Sequence, residues 1–206
     1  MLLISALLGA LSAGARAEAG SPPELSASSA VLIDAESGRA LYEKNADQQM
    51  KIASTTKILT ALVALERCDP DETVIIKREW TGIEGSSMYL KPGERLTVRE
   101  LLYGLMLVSG NDAAVALACH AAGGVREFAE LMNARAAELG CEGSSFANPS
   151  GLDEDGHFST ARDLAVITAE AMKNEAFADV VSAKYADAAG RELRNHNRLL
   201  WDCPGA

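Results

Sequence analysis

Apolar positions along the chain first come in short runs and then settle into helical spacing. Ala30 to Ile33 and Ala40 to Tyr42 flank the turn signal Ser37-Gly38, which predicts a β-hairpin. Ile58, Leu62 and Leu65 recur on one face of a helix that opens at Ser54 and is stopped by Asp69-Pro70. Thr73 to Ile76 reads as a short strand, and the segment on to Gly93 as loop. Thr97 with Glu100 forms a capping box ahead of the apolar helix "LLYGLMLV". Gly110 breaks that helix within Ser109-Gly110-Asn111, where Asn111 or Asp112 can cap the next, "DAAVALACHAA". Phe128, Met132, Ala136 and Leu139 mark a helix from about Val125 to Leu139, ended by Gly140. The turn-rich loop "SSFANPSGLDEDGHFST" follows. Thr160 then caps a helix carrying Leu164, Ile167 and Met172, and a shorter helix spans Ala176 to Ser182. Ala183 to Leu193 returns towards strand. Hairpin, helices, then strand predicts an antiparallel sheet begun at the N-terminus, with a helical subdomain in the middle.

Bulk numbers sharpen this picture in three places. The 206 residues, 48% hydrophobic and 23% charged, suit one globular domain or part of a larger one. A net charge of -10 repels phosphate backbones, so nucleic acid is excluded as a partner. The apolar run Leu2 to Leu11, followed by Ala15-Arg16-Ala17, has the pattern of a signal peptide cleaved after residue 17. The run is too short to span a bilayer comfortably. Residues 18–29 then form a leader, and 30–206 the domain. The cysteines Cys68, Cys119, Cys141 and Cys203 could pair in three ways in an exported chain; their spacing fits no zinc motif. His120, His157 and His196 also lack ligand spacing, and "DEDGH" holds only a fragment of a calcium loop, so no metal is expected.

The candidate chemistry lies in "KIASTTKILTALVALERCDP". A serine often opens a helix as N-cap. A lysine in the first turn faces the positive end of the helix dipole and gains nothing there. The spacing of Ser54 and Lys57 puts both on one helix face, so Lys57 Nζ can reach Ser54 Oγ. A neutral lysine can take the hydroxyl proton, and the N-terminal N–H groups can face a developing oxyanion. The second element is Ser109-Gly110-Asn111. A serine there can relay a proton, and an asparagine amide can bind a substrate amide.

S-x-x-K opening a helix, then an S-x-N turn some fifty residues on between apolar helices, resembles the serine-type D-alanyl-D-alanine carboxypeptidases. These are the low-molecular-mass penicillin-binding proteins, related to serine β-lactamases. The likeness extends through "KIASTTKILTAL", "LMLVSGNDAAVALA", "NPSGLDEDGHFSTARDLA" and "RNHNRLLW". It implies an α/β (α+β) fold of the serine β-lactamase/transpeptidase type, an antiparallel sheet flanked by helices plus an all-helical subdomain. It implies Ser54 as acylated nucleophile, Lys57 as general base, Ser109 as proton shuttle and Asn111 as substrate-amide ligand. His196, or Arg198, would help hold the substrate carboxylate, while Asn148, Gly151 and Asp153 fix the loop between helices. The implied substrate is the peptidoglycan stem peptide, with β-lactams as covalent inhibitors and no cofactor. The implied location is extracytoplasmic, at the cell wall or the outer face of the cytoplasmic membrane.

One departure from the family pattern matters. The third motif, K-T-G on an inner strand, is absent and would be expected shortly after "WDCPGA". The chain therefore reads as a piece of a longer protein with its sheet incomplete, and a C-terminal region outside it could supply membrane association. A β-lactamase is the nearest rival, although class A members usually carry S-D-N and a water-activating loop glutamate. A non-catalytic penicillin or cell-wall binder is the other rival, but it would need neither Ser54 nor Lys57.

Overall fold

A computed structural model describes residues 24–203, so the expected signal peptide lies outside the described residues. The N-terminal hairpin forms where the apolar runs place it, with β1 (Ala30–Ile33) antiparallel to β2 (Ala40–Lys44) and Val31 opposite Glu43. The chain turns through a single 3-10 turn, Ala53–Thr55, into helix α1 (Thr56–Arg67). β3 (Thr73–Ile75) pairs antiparallel with β4 (Arg95–Thr97), a strand hidden from the sequence by its three-residue length. The capping box is present: Thr97 accepts from the Glu100 N–H, and the Glu100 carboxylate accepts from the Thr97 N–H at 2.7 Å. It opens α2 (Val98–Leu107), which is followed by α3 (Asn111–Ala122) and α4 (Val125–Glu138). After the long loop come α5 (Ala161–Ala171), capped by Thr160, and α6 (Glu175–Ser182). The return to strand is a second hairpin, β5 (Tyr185–Ala188) with β6 (Arg191–Arg194), followed by the short α7 (Leu199–Asp202).

α1 is the axis of the molecule. It packs against α2, α3, α4, α5 and α6, which leaves it no solvent face along most of its length. Its buried set is therefore wider than the expected stripe. Leu59, Ala61, Leu62, Val63 and Ala64 are all buried, while Ile58 and Leu65 are only half-buried at the margin. Met172, expected on the core face of its helix, is 49% exposed because α5 ends one residue before it. The core runs on through Leu101, Leu102, Leu105, Leu117, Phe128, Met132 and Ile167. No inter-cysteine bond forms: all four cysteines are free, and Cys141 is buried beside the Asp163 carbonyl. Among the described residues no helix is long and apolar enough to cross a membrane.

Candidate active site

Ser54 does not cap α1. It lies in the preceding 3-10 turn, and neither that turn nor α1 has a side-chain cap at its start. The turn is entered through Ala53 at φ 45°, a left-handed conformation that L-residues adopt only under constraint. The constraint is visible: a Cβ on Gly151 would lie 1.9 Å from the Ala53 carbonyl oxygen, so the loop backbone at Gly151 rests directly on this turn. Ser54 is left exposed, with its hydroxyl free of capping duty.

Lys57 is its opposite. The side chain is 2% exposed, and Nζ lies 3.1 Å from Ser54 Oγ and 2.5 Å from the Ser150 carbonyl oxygen. Among the described residues no carboxylate pairs with it. Burial alone lowers its pKa from 10.5 to about 8, and the first turn of α1 adds a dipole that also disfavours the cation. A neutral amine carries two N–H bonds and one lone pair. One N–H can satisfy the Ser150 carbonyl while the lone pair accepts the Ser54 O–H.

The loop that supplies Ser150 is held by its own side chains. Asn148 Oδ1 accepts from the Ser150 and Gly151 N–H groups, and Nδ2 donates to the Leu152 carbonyl and to Glu154. Asp153 pairs with Lys51 at 2.7 Å. Buried His157 ties the loop to α1: Nδ1 accepts from the Ala147 N–H at 3.0 Å, which leaves Nε2–H to donate to Thr56 Oγ1 at 2.8 Å. Thr60 donates to the Pro149 carbonyl, one turn further along α1.

His157 is thus neutral in the fold, and burial lowers its pKa below 6.5. The unfolded chain then binds the extra proton first. The stabilisation is complete above about pH 6.5 and is lost as pH falls through the folded pKa. Thermal unfolding should show a stability loss from pH 7 to pH 5 that His157→Gln reduces; equal slopes in both proteins would count against this role.

The second motif sits at the junction of α2 and α3. Ser109 has φ 59° and is half-buried, and no direct hydrogen bond joins its hydroxyl to Ser54 or Lys57. Asn111 is 5% exposed; its Nδ2 donates to the Glu84 carbonyl at 2.7 Å, and its Oδ1 has no partner among the described residues. Only the acceptor end of this amide is therefore available to a ligand. Asp112, 1% exposed, accepts from the Met88 and Leu90 N–H groups and from Ser87 Oγ, fixing the 84–90 loop against the start of α3. His196 donates its backbone N–H to the Leu107 carbonyl, which brings its segment to the end of α2; its imidazole is exposed and makes no hydrogen bond among the described residues.

The geometry thus joins Ser54 and Lys57 directly. Sequence reasoning missed the carbonyl of Ser150 and the buried Asp112 brace. Asp112 had a signal, a carboxylate in the first turn after Gly110, but its partners lie more than twenty residues earlier.

The sequence profile of peptidase family S11, described as D-alanyl-D-alanine carboxypeptidase, matches residues 16–205. The chain is 39% identical over 190 residues to the D-alanyl-D-alanine carboxypeptidase DacF of Bacillus subtilis, covering 87% of this chain and 49% of that one. It is 40% identical over 193 residues to DacD of Escherichia coli, with 88% and 50% covered. It spans about half the length of the curated relatives it matches. Among solved structures, a D-alanyl-D-alanine carboxypeptidase from Mycobacterium tuberculosis superposes with a TM-score of 0.84 at 39% identity, covering 91% of this chain and 74% of that one. Penicillin binding protein 6B from Escherichia coli gives a TM-score of 0.84 at 38% identity, with 89% and 62% covered. The α/β architecture is that of penicillin-binding proteins, and by profile and by identity the chain belongs to the D-alanyl-D-alanine carboxypeptidase family, S11.

Proposed function

We propose that the protein removes the terminal D-Ala from peptidoglycan stem pentapeptides through an acyl-enzyme on Ser54. The observation that carries this reading is the exposed Ser54 hydroxyl 3.1 Å from a buried lysine with no counter-ion among the described residues. Ser54 Oγ attacks the carbonyl of the penultimate D-Ala as its proton passes to Lys57 Nζ. The peptide C–N bond then breaks, and the leaving D-Ala amine takes a proton by way of Ser109. Water releases the acyl group in a second, similar step. Asn111 Oδ1 is the acceptor that would receive a substrate amide N–H, and His196, whose backbone is bonded to Leu107 at the end of α2, would help hold the carboxylate. β-Lactams would acylate the same serine.

The role is proposed for the full-length protein. K-T-G does not occur in residues 1–206, and β1 and β2 pair only with each other among the described residues. Export fits the apolar N-terminal run, with work at the cell wall outside the cytoplasm. The β-lactamase reading is less well supported. The second motif is Ser109-Gly110-Asn111 where class A β-lactamases usually carry S-D-N, and Glu154, the glutamate of the long loop, accepts from Asn148 Nδ2 at 3.0 Å as part of the loop's own bracing.

Full-length protein should bind fluorescent penicillin covalently and release D-Ala from a D-Ala-D-Ala-ended peptide, and Ser54→Ala should do neither. Rapid penicillin turnover would instead favour the β-lactamase, and a stable label without D-Ala release the non-catalytic penicillin binder.

A further inference from the structure

At the far end of α1 from Ser54, the fold gathers three donors that are scattered in sequence. Cys68 is the C-cap of α1, with its N–H bonded to the Ala64 carbonyl at 2.9 Å. Glu72 sits in the turn before β3, its N–H donating to the Asp69 carbonyl and its carbonyl accepting from the Val98 N–H. His120 lies in the last turn of α3. Their Sγ, carboxylate and imidazole donor atoms all fall within 4.8 Å of one another, with His120 Nε2 3.1 Å from Glu72 Oε1.

We infer that Cys68, Glu72 and His120 form a binding site for a divalent transition-metal ion of the zinc type, separate from the catalytic centre. In tetrahedral zinc sites the bonds are about 2.0–2.3 Å, which sets donors about 3.3–3.8 Å apart. The His120–Glu72 pair already has about that spacing, and a side-chain rotation of about 1 Å would bring in the thiol. One sulfur, one nitrogen and one carboxylate suit zinc, whereas calcium and magnesium take all-oxygen sets. A simple His–Glu ion pair would account for two of the donors but not for the thiol beside them. Cys68 and His120 are half-buried and Glu72 is exposed, so an ion can enter and keep a water in the fourth position. On binding, the Cys68 S–H bond breaks, the sulfur bonds the metal as thiolate, and the proton passes to solvent. Sequence spacing could not flag this cluster, because its donors come from three elements instead of one local motif.

The ion would link the C-terminal ends of α1 and α3. Ser54 and Lys57 stand at the opposite end of α1, about 18 Å away along the helix, and Asn111 stands at the opposite end of α3. The site therefore fixes the helices that carry the motifs without entering the chemistry.

The test uses untagged, chelator-treated protein and cobalt(II) as a spectroscopic probe, followed by zinc competition. One equivalent of cobalt should produce a near-ultraviolet thiolate charge-transfer band, and zinc should displace it. Cys68→Ser should abolish the band. Glu72→Gln, at an exposed position that tolerates the change, should weaken zinc binding by at least about 10-fold, as expected for loss of one of three ligands. Zinc should raise the thermal midpoint of wild type and not that of Cys68→Ser. Absence of the band in wild type would overturn the site, as would its persistence in Cys68→Ser. Unchanged zinc affinity in Glu72→Gln would exclude the carboxylate and the three-ligand site with it.

Discussion

Lys57→Met in the full-length protein should lower the rate of Ser54 acylation by about 10²–10⁴-fold, the usual contribution of a general base. The same change should leave the thermal midpoint at pH 7 no lower. The two effects separate because the lysine is costly to bury. A folded pKa of about 8 against 10.5 corresponds to about 3 kcal/mol of destabilisation at neutral pH. The sign follows from proton uptake: between those values the unfolded chain holds the proton and the folded chain does not. Stability from this group is complete above pH 10.5 and lost as pH falls through 8. Methionine fills a similar volume without a charge, although it leaves the Ser150 carbonyl one donor short. Wild-type acylation should rise with pH around a midpoint near 8, as the amine loses its proton. Lys57→Arg should be as inactive as Lys57→Met, because guanidinium stays protonated. Acylation at the wild-type rate in either variant, or a flat profile from pH 7 to 9, would refute the base assignment.

How much of this was legible in the sequence depends on the range of the interaction concerned. Helix signals are local, so α2, α4, α5 and their caps fall close to where apolar spacing and Thr97, Thr160 and Gly140 place them. The Ser54–Lys57 contact is local as well, one turn apart, and it was readable. The 3-10 turn that frees Ser54 was not, because its cause lies in Gly151, almost a hundred residues away. The same holds for β4, whose three residues form a strand only by pairing with β3. Ser109 and Asn111 were chosen by arrangement. Which end of the Asn111 amide is available depends on the Glu84 carbonyl, a contact no spacing encodes. The Cys68, Glu72 and His120 cluster is the extreme case, assembled wholly by packing.

Gly151→Ala should damage the protein far more than its small size suggests, and that result would identify the loop as the support of the nucleophile. Gly151 has φ +85°, where a side chain carries a backbone penalty of about 1–2 kcal/mol. In addition, the new Cβ would lie 1.9 Å from the Ala53 carbonyl oxygen and 3.0 Å from the Ser54 nitrogen. Neither is a flexible side-chain end that can swing away; both are the backbone of the turn presenting the nucleophile. Relief therefore requires the 148–152 loop or the Ala53–Thr55 turn to move. Moving the loop withdraws the Ser150 carbonyl from Lys57, and moving the turn displaces Ser54. Overpacking of this kind costs about 1–3 kcal/mol beyond the backbone penalty. Gly156→Ala is the matched control: its φ is +82°, and nothing lies within 4 Å of an added Cβ. That variant should lose only the backbone penalty and keep its labelling by fluorescent penicillin. Gly151→Ala should show a larger drop in thermal midpoint together with a loss of labelling at temperatures where it remains folded. Equal midpoints and equal labelling in the two variants would mean that the loop does not brace the turn, and that Ser54 is positioned by α1 alone.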